Sequence, residues 1–195
     1  MSSAPKNTRT AILDAALDLF SEHGFHSSPI SQIATLAGVG VGSIYRYFSD
    51  KDALIHALYE KVDGSLQCAM KENISTSVSM DLHFKYFVRC VVHYLYSHPK
   101  EFRFLEQYHN SPYGINEVQA KILQQDDGRP TGLCSEIFLN GQQEGIIKKL
   151  PLPVYISMLF GPVSYMVRYS LSGYTALDDT IIQSLADACW NAIKA

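Results

Sequence analysis

The sequence predicts an all-α protein in which a small three-helix N-terminal domain with a helix-turn-helix, residues 1–50, precedes a larger helical domain, residues 51–195. Three observations predict it. Apolar residues recur at three- and four-residue spacing along most of the chain, with no period-two alternation. The breaks between these runs carry glycine, proline or a capping side chain. Two of the earliest runs are very short and joined by a glycine-containing turn, the connection that lets two helices cross in a helix-turn-helix.

In the first helix Ile12, Leu13, Ala16, Leu17, Leu19 and Phe20 form the apolar stripe, Asp14, Asp18 and Glu22 face away, and Gly24 ends the run. The second opens with Ser28 as N-cap and Pro29 at the first helical position, and presents Ile30, Ile33, Ala34 and Leu36 before Gly38 stops it. The third is expected over Val41 to Phe48, with Ile44 and Phe48 one turn apart on its inward face. Asp50 caps a longer fourth helix striped by Leu54, Leu58, Val62 and Leu66. Further helices are expected over Asp81 to Ser97, beyond Pro99, and over about Thr131 to Glu144, Val154 to Ser172 and Leu177 to Ala195. The stretches NSPYG and QDDGRPTG read as turns.

The 195-residue chain is long enough to bury a substantial core, and its formal charge of −3 leaves any nucleic-acid-binding field to a local patch. Cys68, Cys90, Cys134 and Cys189 are scattered, without C-x-x-C or neighbouring histidines at zinc spacing, and read as reduced thiols; neither metal nor cofactor is expected. The N-terminus lacks an apolar signal core, so the expected compartment is the cytoplasm. Leu150 to Val167 approaches membrane-span length, but its prolines, serines and tyrosines favour a helix buried in protein. H-E-x-x-H and G-x-S-x-G are missing, and no paired base and nucleophile emerges, so the chain is not expected to be an enzyme.

The stretch AGVGVGSIYRYFSDKDAL, Ala37 to Leu54, admits two readings. A dinucleotide loop needs a preceding strand and G-x-G-x-x-G opening a helix. Here the preceding segment is helical and Gly38, Gly40 and Gly42 run G-x-G-x-G, so that reading fails. In the helix-turn-helix reading Ala34 permits close crossing, Ile33, Val39, Ile44 and Phe48 fill the shared core, and Val41, Gly42, Ser43, Tyr45, Arg46 and Tyr47 remain on the outer side or flanks.

Residues 9 to 54 resemble the N-terminal domain of TetR/AcrR-family transcriptional regulators. The resemblance lies in Ala16 to Phe20, Gly24-Phe25, Ile33-Ala34, Ala37-Gly38-Val39, Gly42-Ser43-Ile44-Tyr45, Tyr47-Phe48 and Lys51. It implies operator DNA as partner, with Tyr45 and Tyr47 facing DNA, Ser28, Ser43 and Lys51 as backbone clamps, and Val41 and Gly42 at the groove. Arg46 either reads guanine N7 and O6 or holds a phosphate. Lys6 and Arg9 could add a basic arm. Gly40 stands where the family most often has serine.

The resemblance also implies that the larger domain binds a small effector and forms a homodimer through its last two large helices. Residues from Leu82 to Tyr108 are rich in aromatic side chains with hydroxyls, which suggests an apolar or aromatic effector held by Cys90, His93, Tyr94, Phe104, Tyr108, Tyr165 and Tyr169. Ile156, Leu159, Phe160, Val163, Val167, Ile181, Leu185, Ala188, Cys189, Ala192 and Ile193 are the expected dimer residues. The alternative is a DNA-binding protein without effector.

Overall fold

A computed structural model describes residues 7–71, 79–115 and 133–195. Among them are the helices α1 (Thr8–His23), α2 (Ile30–Ala37), α3 (Val41–Tyr45), α4 (Lys51–Lys71), α5 (Met80–Ser97), α6 (Pro99–His109), α7 (Leu133–Gln143), α8 (Leu152–Leu171) and α9 (Asp179–Ile193). A single helical turn occupies 112–115. The one extended pairing among the described residues is an isolated bridge between Ile147 and Lys194. The QDDGRPTG turn lies outside the described residues. No helix among the described residues is long and apolar enough to cross a membrane.

Packing divides the chain into Met1–Gly64 with Lys100–Val118, and Ser65–Pro99 with Gln119–Ala195. The first part of α4 and all of α6 belong with the helix-turn-helix.

In the N-terminal unit α1 starts where Asn7 accepts the Arg9 backbone N–H at 3.1 Å and stops at Gly24, whose φ is +79°. Ile12, Leu13, Ala15, Ala16 and Phe20 are buried. Asp14 and Asp18 point outward and are paired, with Lys61 at 2.7 Å and Lys100 at 2.6 Å. Gly38 ends α2 in the left-handed region at φ +68°, ψ +33°, where its lack of a Cβ removes the steric penalty.

Three expectations need correction here. Ser28 does not cap α2: Pro29 takes the N-cap position, and the buried Ser28 hydroxyl bonds to the carbonyls of Gly24 at 2.8 Å and Leu19 at 3.2 Å. Leu36 is more than half exposed, because it lies roughly a third of a turn away from the Ile30, Ile33 and Ala34 face. Helix α3 closes at Tyr45, after which Tyr47 and Phe48 both donate to the Ile44 carbonyl in a turn.

The core of this unit is a run of rings. Phe20 meets Phe25 edge-on at 5.3 Å, Phe25 meets Phe104 at 5.9 Å, and Tyr108 stacks on Tyr59 at 4.1 Å with an interplanar angle of 7°. Such pairs add to the burial of their own area. The interior phenol of Tyr108 is satisfied by His56 Nδ1 at 3.0 Å. Tyr113 donates to Asp52 at 2.6 Å, which joins the 112–115 turn to the start of α4.

In the C-terminal unit α5, α8 and α9 pack pairwise. They bury Phe84, Phe87, Val88, Val91, Val92 and Leu95 from α5, Tyr155, Leu159, Val163 and Val167 from α8, and Ile182, Ala186, Cys189, Trp190 and Ile193 from α9. Phe138 of α7 stacks on Tyr155 at 4.6 Å. The Tyr155 hydroxyl donates to the Lys148 carbonyl and accepts from Gln142 Nε2 at 2.7 Å. Two cations of α5 reach acids of α9: Lys85 is 2.9 Å from Asp187 and Arg89 3.1 Å from Asp179.

Candidate nucleic-acid interface

The outer face of α3 is built from its inner one. Ile44 and Phe48 are buried, and α3 packs on α2. At roughly 100° per residue, that anchoring turns Gly42 and Arg46 to the opposite side, with Tyr45 beside them. Val41, Tyr45 and Tyr47 are 41%, 53% and 44% exposed, high values for such apolar side chains, and Gly42 and Arg46 are exposed as well. Ser43 is half-buried, and its backbone N–H donates to the Gly40 carbonyl at 2.8 Å.

Cationic groups flank this face. The Arg9 guanidinium lies 5.5 Å from the centre of the Phe48 ring, which brings the start of α1 alongside the turn after α3. Lys6 lies outside the described residues. Lys51 is half-buried, its ammonium 5.9 Å from the Phe20 ring, and burial lowers its pKa. Asp50, next to it, is drawn below the usual carboxylate range by the backbone N–H of Ala53, 2.7 Å away, and then by the Ser49 hydroxyl. It is therefore a committed cap for α4.

Of the expected DNA-facing residues, Val41, Gly42, Tyr45, Arg46 and Tyr47 are each exposed, and Ser43 and Lys51 are half-buried. Ser28 is not among them: the side chain is fully buried and its hydroxyl is taken by two carbonyls, so it offers a phosphate nothing. Ser31, Gln32 and Thr35 of α2, outside the expected set, are exposed and, with Leu19 and Leu36, line a surface depression of about 390 Å³. Their signal was the polar face opposite Ile33 and Ala34.

The expected effector residues divide between the two units. Phe104 and Tyr108 are fully buried in the N-terminal unit. Cys90, His93 and Tyr94 belong to the C-terminal unit, Cys90 and Tyr94 half-buried and His93 exposed, with Tyr94 stacked on His98 at 4.3 Å. Tyr165 and Tyr169 are 56% and 48% exposed on the outer side of α8, two residues out of phase with Val163 and Val167. Of the eleven residues expected at the dimer contact, Leu159, Val163, Val167, Cys189 and Ile193 are buried within the protomer's own core. What faces out is Met158, Pro162, Tyr165 and Tyr169 on α8, and Ala188 on α9 with Ile181, Leu185 and Ala192 half-buried beside it.

Cys68 is exposed and Cys189 buried, with burial pushing its thiol pKa up; Cys134 lies among residues whose side chains are not described. No group of histidine, cysteine and acidic side chains among the described residues could hold a metal ion.

Residues 12–58 match the family model for bacterial regulatory proteins of the tetR family, and residues 59–195 match the tetracyclin repressor-like C-terminal domain. The chain is 27% identical over 183 residues to the HTH-type transcriptional repressor NicS of Pseudomonas putida, covering 92% of this chain and 86% of that protein. It is 40% identical over 63 residues to the fatty acid metabolism regulator protein of Bacillus subtilis, a match confined to 32% of each chain. In fold it is similar to a TetR family transcription regulator from Marinobacter aquaeolei, with a TM-score of 0.82 at 24% identity over 96% of this chain and 95% of that one. The regulator FadR from Bacillus subtilis, solved in complex with stearoyl-CoA, is similar with a TM-score of 0.68 at 23% identity over 93% and 95% of the two chains. With family models matching both its helix-turn-helix and the whole of its C-terminal half, the chain belongs to the TetR family of bacterial regulatory proteins.

Proposed function

We propose that this DNA-binding transcriptional regulator is a cytoplasmic homodimeric repressor that leaves a palindromic operator when it binds a small apolar or aromatic effector. The observation that carries the DNA contact is the exposed surface of Val41, Gly42, Tyr45, Arg46 and Tyr47, held outward by buried Ile44 and Phe48. Tyrosine hydroxyls donate to phosphate oxygens while their rings pack on sugars or thymine methyls, and Arg46 reaches a base edge or a phosphate. A twofold dimer presents two such helices, and successive major grooves on one face of DNA lie about 34 Å apart. The outward apolar strip of α8 and α9 supports the dimer, since one isologous contact buries it on both copies.

An effector acts by preferring the protomer arrangement in which the two α3 helices are misplaced, and DNA must weaken effector binding by the same factor. Half-buried Cys90 and Tyr94 on α5 support a part of the expected contact set, since each keeps some surface open to a ligand. The similarity to NicS, a repressor, supports the sign of regulation, and the stearoyl-CoA in the FadR complex supports an apolar effector class.

Footprinting on the DNA upstream of the protein's own gene, combined with a thermal-shift screen of acyl-CoA thioesters and aromatic acids, tests the reading. Protection of a palindromic site that is lost with a compound that also raises the melting temperature is the expected result. Protection indifferent to every compound would favour the effector-free alternative.

A further inference from the structure

The ring of Tyr113 packs, and its hydroxyl does something else. The ring meets Phe25 edge-on at 5.7 Å, His56 edge-on at 5.4 Å and Tyr108 at 6.2 Å with an interplanar angle of 19°. A phenylalanine would make all three contacts. The hydroxyl donates at 2.6 Å to Asp52, an exposed carboxylate in the first turn of α4. Water would serve an exposed carboxylate too; what the bond adds is a fixed place for the charge. The turn that carries Tyr113 is built for close approach. It folds back on α6 so tightly that a Cβ on Gly114 would stand 2.5 Å from the His109 Cα and 2.6 Å from the Tyr108 carbonyl oxygen, closer than a side chain tolerates. The Ser111 hydroxyl donates to that same carbonyl at 2.6 Å.

Asp52 matters because of its neighbour in sequence. Lys51, the expected phosphate clamp, has its ammonium 5.9 Å from the Phe20 ring, whereas Asp52 is bonded to Tyr113 on the side of α4 that also carries His56, one turn further on. The two opposite charges are thus held by different partners. They still feel each other: burial lowers the Lys51 pKa, and the Asp52 charge raises it in part. Asp50, the other carboxylate beside Lys51, is occupied by the Ala53 N–H at 2.7 Å and the Ser49 hydroxyl at 2.9 Å. An Asp52 carboxylate released from Tyr113 would be free to offset the field that Lys51 offers a phosphate, and to repel the phosphate directly.

We propose that Tyr113 is a positioning residue for DNA binding: its hydroxyl holds the Asp52 carboxylate away from the phosphate that Lys51 clamps. The inference rests on the DNA-binding reading above and deepens it. Tyr113 itself touches no DNA and acts through Asp52.

The test measures binding of the full-length protein, over a range of salt, to an operator obtained from a random-sequence duplex pool and to a non-operator duplex. Tyr113→Phe keeps the ring and is expected to lose about fivefold in affinity for both duplexes at low salt, with the loss shrinking as salt screens the carboxylate. Asp52→Asn should bind at least as tightly as the wild type. Tyr113→Phe combined with Asp52→Asn should recover wild-type affinity, because the charge that needed holding is gone. That rescue separates the proposal from a packing role for Tyr113, in which the double variant would stay as weak as Tyr113→Phe. Wild-type affinity of Tyr113→Phe at low salt overturns the proposal, as does a loss that Asp52→Asn fails to restore. A wild type that enriches no sequence from the pool fails the DNA-binding reading itself, an outcome distinct from either.

Discussion

Arg46 and Lys51 differ in what surrounds them, and their substitutions should differ accordingly. Arg46 is exposed and central on the α3 face, so if it reads guanine, Arg46→Ala should cost about 1–3 kcal/mol and relax preference at one base pair. Lys51 is half-buried against Phe20 at the edge of that face, so Lys51→Ala should weaken all duplexes alike and lower the salt slope by about one. Operator titrations at several salt concentrations distinguish the two, and unchanged affinity in both variants would remove the assigned face. Tyr113 makes a second prediction. Burial, then its bond to Asp52, raises its pKa from 10.0 to about 12. A raised folded pKa means that the protonated phenol is favoured in the fold, so this contribution is complete below pH 10 and disappears as pH rises toward 12. Unfolding free energies measured from pH 9 to 12 should fall less steeply for Tyr113→Phe than for the wild type; parallel curves would contradict the assignment.

Between elements, burial should outweigh charge at the α5–α9 contact. Phe84 is buried and tilted against Trp190 at 5.6 Å, so Phe84→Ala should cost about 3–5 kcal/mol. Lys85 is paired with Asp187 at the solvent boundary, and Lys85→Ala should change stability little, because exposed ion pairs are screened and costly in side-chain entropy. Urea unfolding of both variants settles the order. The same contrast explains how much was legible in the sequence. Helix α1, the Gly38 stop, the Asp50 cap and the Leu54, Leu58, Val62, Leu66 stripe follow from local periodicity and capping, and the structure has them. Helix α8 misled because it is apolar on two sides: Leu159, Val163 and Val167 face in while Met158, Tyr165 and Tyr169 face out, and periodicity does not rank two apolar faces. Phe104 and Tyr108 read as effector contacts because they belong to the Leu82–Tyr108 stretch, rich in aromatic side chains with hydroxyls, a pattern that does not tell which rings they meet. Their partners Phe25, Tyr59 and His56 lie some 50 or more positions earlier, beyond the reach of any window of local pattern. Ser28 failed for a subtler reason, since a hydroxyl before a helix looks the same whether it caps that helix or bonds back to the preceding turn.

For the molecule as a whole, the outward strip on α8 and α9 makes the dimer testable without disturbing the protomer. Tyr165 is exposed in the protomer, so Tyr165→Glu should leave helical content and folding intact while halving the mass seen by sedimentation. Operator affinity should fall in parallel, because a single half-site contact loses the gain from two linked ones. A stable dimer of this variant would place the interface elsewhere. A different consequence follows from α6, which completes the aromatic core around Phe20, Phe25 and Tyr59 although residues 65–99 of the other unit intervene in the chain. The packing unit that contains α3 thus draws on two separate stretches of the sequence. A recombination joint placed anywhere from residue 65 to 99 would graft a foreign α6 against Phe25 and the α4 rings His56 and Tyr59, and the chimaera should bind hydrophobic dyes and lose cooperative melting. Restoring Phe104 and Tyr108 in the foreign segment should recover both, so exchange of specificity between relatives requires two cuts on either side of α6, or co-inheritance of the rings it carries.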